Sequence, residues 1–419
     1  MNLPQDGLSN AGLNVLAAAA FVVSVGYGAL LPVLPGWLAS LAPSSSASTI
    51  AQQVGQLTGI YMLGVFVGAL AGGYLSDWTG RRPILIVGLI VFLVAVLATV
   101  HVRSLAALYA LRLVAGLSGA AVVPAAAAWI GDGSFQADTS RRLAYLGAVS
   151  LLGFLVGPAI VSLPQFLGAD VRWDISGPIA LFAFAMHATL GLGMLVLIAA
   201  FAVRPLAARM PSVINGGAAA TSAVRIPFFA LLILNFSILL GLGGFEVAAA
   251  LYGSQRLELD PLRISLMFAE CSIVMLLVNG ILFLTPLSRF VGVRPALVFS
   301  IGAMVGGFVL LYRSTGYASV LAAVAFIAAG SAIAVPTIAY SAANKAGRRG
   351  ATMGQLTAIG SLGQAAGSFA GGWMFALLSA RTFLVGALFM LLAVLVAWIG
   401  IRGAPASVGA AQQSEHRRP

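Results

Sequence analysis

Twelve stretches of roughly twenty residues, nearly free of charge, dictate what this chain can become. A helix crossing a bilayer needs about 20 predominantly apolar residues, because the hydrocarbon offers no water to exposed backbone groups. Such stretches occupy residues 11–36, 51–75, 83–101, 104–131, 143–163, 177–202, 227–252, 263–287, 295–312, 317–341, 351–378 and 382–401. The chain is 60% hydrophobic and only 8% charged, against about 25% charged residues in soluble domains. Its solvent is mostly lipid, and the expected class is an all-α integral membrane protein.

Connections are short except for 203–226, VRPLAARMPSVINGGAAATSAVRI, which is basic, rich in Pro, Gly and Ala, and not itself a span. It divides the chain into a six-helix half at 1–202, a linker at 203–226, a second six-helix half at 227–402 and a tail at 403–419. The first ten residues, MNLPQDGLSN, carry no basic n-region, so the first apolar run is expected to be retained as a span.

A net charge of +11 raises the question of nucleic acid, but that partner needs basic residues gathered on one face. Here they lie scattered between apolar runs. With the N-terminus inside, Arg81, Arg82, Arg141, Arg142, Arg204, Arg209, Arg225, Arg289, Arg294, Lys345, Arg348, Arg349, Arg402, Arg417 and Arg418 fall in inner segments. Outer segments hold only Arg103, Arg172, Arg256, Arg263, Arg313 and Arg381. The excess of basic residues inside places both termini and the linker in the cytoplasm. The expected location is a plasma membrane crossed many times, or the inner membrane of a bacterium.

One cysteine, Cys271, and three scattered histidines leave no internal disulfide and no metal-ligand spacing. No cofactor is expected, and no nucleophile–base set or nucleotide loop points to an enzyme. The partners expected are a small-molecule substrate, protons and the lipid bilayer, with the chain a monomer.

The two halves share a pattern. LSDWTGRRP (75–83) corresponds to LSRFVGVRP (287–295), and SGAAVVP (118–124) falls on GSAIAVP (330–336) at the same offset of 212 residues. Parallel six-helix repeats are a known transporter plan.

GYLSDWTGRRP (73–83), between the second and third spans, resembles the loop motif of the major facilitator superfamily, approximately G-x-L-x-D-x-x-G-R-R/K. Gly73, Leu75, Asp77, Gly80, Arg81 and Arg82 match it. LRLVAGLSGAA (111–121) resembles the family's fourth-span motif around Arg112. GFLVGP (153–158), with Gly153, Gly157 and Pro158, resembles its fifth-span antiporter motif, although AIVS follows where glycines are usual. The resemblance implies two pseudo-symmetric six-helix bundles that alternate access to a central cavity. It also implies that Gly73, Asp77, Gly80, Arg81 and Arg82 form a conformational latch on the inner side, favouring the outward-open state. Asp132, at the end of the fourth span, is the nearest carboxylate for the arginines to pair with.

Ionisable residues inside spans cost at least about 2.5 kcal/mol at a helix centre, so Arg112, Glu246 and Glu270 are functional candidates. His187 is expected to be structural. Asn235 and Glu246 share one helical face. In the family the first, fourth, seventh and tenth spans line the cavity, so Arg112 and Glu246 would confront each other across it, with Tyr27 lining it. Glu246 and Glu270 would share a proton that Arg112 displaces. Gly64, Gly68 and Gly72 and, in the eleventh span, Gly363, Gly367 and Gly371 recur every four residues. Such stripes let helices approach closely in lipid, either between the halves or within each. The function expected is secondary transport of a small organic compound, as proton-coupled export. An importer or facilitator, and a sensor or scaffold that keeps the fold without transporting, stay open.

Overall fold

A computed structural model describes residues 8–102, 104–133, 136–166, 178–202, 227–284, 292–343 and 349–402. The linker at 203–226 and the tail at 403–419 lie outside them. Among the described residues the chain forms thirteen α-helices: α1 (Asn10–Leu30), α2 (Leu34–Leu41), α3 (Ala47–Thr79), α4 (Arg81–His101), α5 (Leu105–Asp132), α6 (Gln136–Phe166), α7 (Pro178–Ala202), α8 (Phe228–Gln255), α9 (Pro261–Leu284), α10 (Val293–Arg313), α11 (Tyr317–Ala343), α12 (Arg349–Leu378) and α13 (Thr382–Arg402). Eleven segments are long and apolar enough to cross a membrane, and the last, Gly354–Leu392, runs through both α12 and α13. The protein is an all-helical, multi-pass membrane protein.

Helix ends follow local chemistry. Ser9 and Ser46 cap α1 and α3 by accepting from the backbone N–H groups of Gly12 and Thr49. The first apolar stretch is not one helix. α1 stops at Leu30, and α2 restarts with proline in its first turn. Pro32 and Pro35 explain the break, since proline lacks the N–H that continues a helix but suits its first turn. Between α3 and α4, Gly80 has φ +93° and ψ 157°, a conformation that favours glycine. Its counterpart Gly292, before α10, has φ −65°, so the second copy of the loop turns without that requirement.

The repeat at offset 212 extends to packing. A methyl group on Gly88 of α4 would lie 3.1 Å from the Ser118 carbonyl oxygen of α5. In the second half Gly330 of α11 abuts the Ser300 carbonyl of α10. The contact is conserved in position while the glycine changes sides.

Because the helices cross back and forth, the start of α1, the end of α13, the α3–α4 turn, the end of α5 and the end of α7 share one face, the terminal face. On that face Leu8 N–H donates to the Gly133 carbonyl at 2.7 Å, tying the N-terminus to the end of α5. In the interior α12 packs against both α8 and α3, α3 against α5, and α1 against α6. α3 and α12 thus form the central seam between the helices before and after the linker.

Both glycine stripes pack within their own half. Gly64 and Gly68 meet the backbone of α5 at Leu113 and Leu117, and Gly363 and Gly367 meet α8 at Phe236 and Leu240. The seam between halves uses other glycines. A Cβ on Gly55 would lie 2.8 Å from the Cα of Gly372 and 2.7 Å from the Ser368 oxygen, and one on Gly59 would strike the Phe369 ring at 2.7 Å. From Gly59 to Gly64 is five residues, about 140° of helical rotation beyond one full turn. That step turns the small face of α3 from the other half toward its own. These contacts lie near the start of α3 and the end of α12, so the halves are closed on the face opposite the termini. There the Gln255 amide also donates to the Ala47 carbonyl at 3.0 Å.

Candidate functional site

At the middle of the seam, Tyr27 of α1 donates its hydroxyl hydrogen to Glu246 Oε2 of α8 at 2.6 Å. Both residues are 5% exposed, and the bond joins the two halves. Gly26 and Gly28 flank Tyr27 and pack against Phe92, Thr189 and Phe154. α1 is thereby pressed into its own half while the tyrosine reaches out of it. Glu246 is held from its own side too: Gln364 Nε2 of α12 donates to Oε1 at 3.3 Å and Oε2 at 3.1 Å. A Cβ on Gly243, one turn before Glu246, would lie 3.0 Å from the Gln364 Cα. That close approach of α8 and α12 brings the amide within reach.

The first half mirrors this arrangement. Gly116 of α5 abuts the Tyr61 carbonyl of α3, and one turn earlier the Arg112 guanidinium lies over the Tyr61 ring, 4.4 Å from its centroid. Tyr61 stacks on Tyr27 at 5.0 Å with ring planes 25° apart. Phe154 of α6 adds a tilted contact to Tyr27 at 5.6 Å. Arg112 and Glu246 are therefore connected through two aromatic rings rather than by direct contact.

The other residues singled out in the sequence are dispersed. Asn235 is buried but serves its own half, its Nδ2 donating to the Leu356 carbonyl at 2.8 Å. Glu270 forms no hydrogen bond with Glu246; its Oε2 is buried and accepts none at all. His187 donates from Nδ1 to the Ala183 carbonyl at 2.7 Å and meets the His101 ring edge-on.

On the terminal face Arg81 pairs through Nε with Asp132 at 3.1 Å and donates to the Ser76 hydroxyl at 2.6 Å. Arg82 donates to the Phe201 carbonyl of α7 at 2.7 Å. These partners lie in the first half, and these contacts brace α3, α4, α5 and α7 against one another. Gly73 and Asp77 belong to α3, but their side-chain surroundings lie outside the described residues. Gly153 and Gly157 sit against α1: a Cβ on Gly153 would lie 2.9 Å from the Ser24 Cβ, and one on Gly157 2.6 Å from the Ala29 nitrogen. Pro158 packs on the Gly28 position.

Tyr61, Gln364 and the Gly55–Gly372 seam escaped the sequence reading. A tyrosine and a glutamine beside glycine stripes are uncharged, and nothing in their spacing separates them from packing residues. The partial signal is that Gln364 interrupts an otherwise small and apolar face.

A bundle of twelve spanning helices in two packed halves, with buried polar groups meeting where they join, has the architecture of a secondary transporter rather than an enzyme. The family model of the Major Facilitator Superfamily matches residues 16–367, and the chain belongs to that family. It is 29% identical over 359 residues to the tetracycline resistance protein, class G, of Vibrio anguillarum, covering 82% of this chain and 85% of that one. It is 24% identical over 373 residues to the quinolone resistance protein NorA of Staphylococcus aureus (strain MSSA476), covering 87% and 90%. Among solved structures, a D-xylose–proton symporter superposes with a TM-score of 0.72 at 16% identity, over 92% of this chain and 97% of that one.

Proposed function

We propose that this transporter exports a small amphipathic organic compound in exchange for protons, by alternating access. The observation that carries this reading is the buried Tyr27–Glu246 hydrogen bond, which places a titratable carboxylate where the two halves join. Relatives named for tetracycline and quinolone resistance, aligned over more than four-fifths of both chains, support export. The basic residues of the terminal face support placing it in the cytoplasm of a cell, at the inner membrane in a bacterium.

With Glu246 ionised, the bond from Tyr27 is charge-assisted and roughly twice as strong as a neutral one. It holds the empty protein closed on the opposite face. A compound arriving from the terminal face competes with Tyr27 for Glu246 and frees the halves to rock. After release on the far side, a proton on Glu246 takes the compound's place and weakens the bond during the return. Loss of that proton to the cytoplasm restores it. Gln364, in the same half as Glu246, stays with the carboxylate throughout, whereas Tyr27 is the exchangeable partner. The Arg81–Asp132 pair within the first half is the latch at rest, and Arg81 and Arg82 would exchange partners toward the other half when the terminal face closes.

Purified protein in liposomes, with the opposite face made acidic, tests the reading. Fluorescent amphiphiles should accumulate on that acidic side. Glu246→Gln should abolish gradient-driven accumulation while downhill exchange continues. Accumulation undiminished in that variant would exclude Glu246 as the coupling group.

A further inference from the structure

Arg112 is 7% exposed, yet it forms no ion pair among the described contacts. A guanidinium carries five N–H donors in a fixed fork. Here one of them, Nε, reaches the Leu57 carbonyl at 3.5 Å, the long limit of a hydrogen bond. The remaining support is the face of Tyr61. Among the described residues, the buried carboxylate of the seam, Glu246, is already engaged by Tyr27 and Gln364, with two stacked rings between it and the arginine. A buried cation without a counter-charge is costly, and removing water from it strengthens any anion that reaches it.

We infer that Arg112 is an anion subsite and that the transported compound supplies the missing counter-charge. This rests on reading the seam as the compound's site, and it adds the chemical class. The compound is an aromatic organic acid. Its acidic group pairs with the guanidinium fork, for which a planar carboxylate is well matched. Its flat body lies against the aromatic wall of Tyr61, Tyr27 and Phe154, where ring stacking is favourable. Such a body, entering beside Tyr27, reaches the buried hydrogen bond that joins the halves at the centre of the seam, so binding and release of the halves become the same event.

A matched pair of dyes tests this in the full-length purified protein in detergent: a rhodamine with a free carboxylate and its methyl ester, with binding followed by fluorescence anisotropy. The acid should bind at least about tenfold more tightly than the ester, as a charge-assisted hydrogen bond requires. The ratio should collapse toward one in Arg112→Gln and be partly kept in Arg112→Lys. Equal or tighter binding of the ester by the unmodified protein overturns the proposal, as does a preference that survives Arg112→Gln, or failure of both dyes to bind. If Arg112→Gln does not fold, the unmodified protein and Arg112→Lys still decide. The assay needs no gradient. Acid preference without proton-driven transport would therefore sink the exporter reading and leave the anion subsite standing.

Discussion

Tyr27 contributes one hydroxyl, and that hydroxyl is the buried hydrogen-bonding contact between the halves. A hydrogen bond to a charged group is worth about 1.5–3 kcal/mol, on the order of ten- to a hundredfold in a two-state population. Tyr27→Phe keeps the ring that stacks on Tyr61 and removes only the donor. The variant should fold normally and exchange compound downhill, but lose gradient-driven accumulation because the empty, ionised protein is no longer held closed. Parallel assays of exchange and accumulation in liposomes check this, and full accumulation by Tyr27→Phe would count against the bond as a lock. Half of this site was legible beforehand. Arg112 and Glu246 announced themselves as charges in apolar helices, and Tyr27 as a polar group in the first span. Tyr61 and Gln364 did not, because an uncharged polar side chain pays little to sit in a helix and its partner is set by tertiary packing. Asn235 and Glu246 share a face of α8 at helical spacing, yet α12 alone takes up the first, while the second is shared between α12 and the other half.

Among the helices, α3 and α12 each carry two kinds of glycine. Gly367 keeps α12 against Leu240 of α8, where an added Cβ would lie 2.9 Å from the Leu240 Cα. Gly55 and Gly372 keep the halves together instead. Overpacking costs about 1–3 kcal/mol, and where it is felt depends on which contact can open. Gly367→Ala should lower the melting temperature, because α8 and α12 belong to one rigid half. Gly55→Ala and Gly372→Ala should melt near the unmodified protein but shift it away from the state closed on the opposite face. Thermal melts combined with spin-label distances across that face separate the two outcomes. Equal destabilisation by all three, with unchanged distances, would mean that Gly55 and Gly372 are not at a moving seam. The spans themselves were readable because hydropathy fixes their number and most of their limits. The stripes were readable as close contacts but not as to partner, since a stripe at four-residue spacing says which face is small and nothing of what covers it. The break after Leu30 was written in Pro32 and Pro35, but apolar content masked it.

At the scale of the whole molecule, two packed halves meet at a seam whose tightest backbone contacts lie on one face and whose buried bond lies at the centre. The central claim is that a proton on Glu246 sets how firmly those halves hold. Spin labels at Ser48, at the start of α3, and at Thr315, between α10 and α11, report the separation on the opposite face. Both positions are exposed, and the single native cysteine, Cys271, is buried and replaced for the purpose. Distances are measured by double electron–electron resonance as the solution passes from mildly alkaline to mildly acidic. The unmodified protein and Glu270→Gln should both gain a longer-distance population on acidification, because protonation turns the charge-assisted bond from Tyr27 into a weaker neutral one. Glu246→Gln should give a distribution that does not change with pH. The same pH response in Glu246→Gln, or none in the unmodified protein, would contradict the claim.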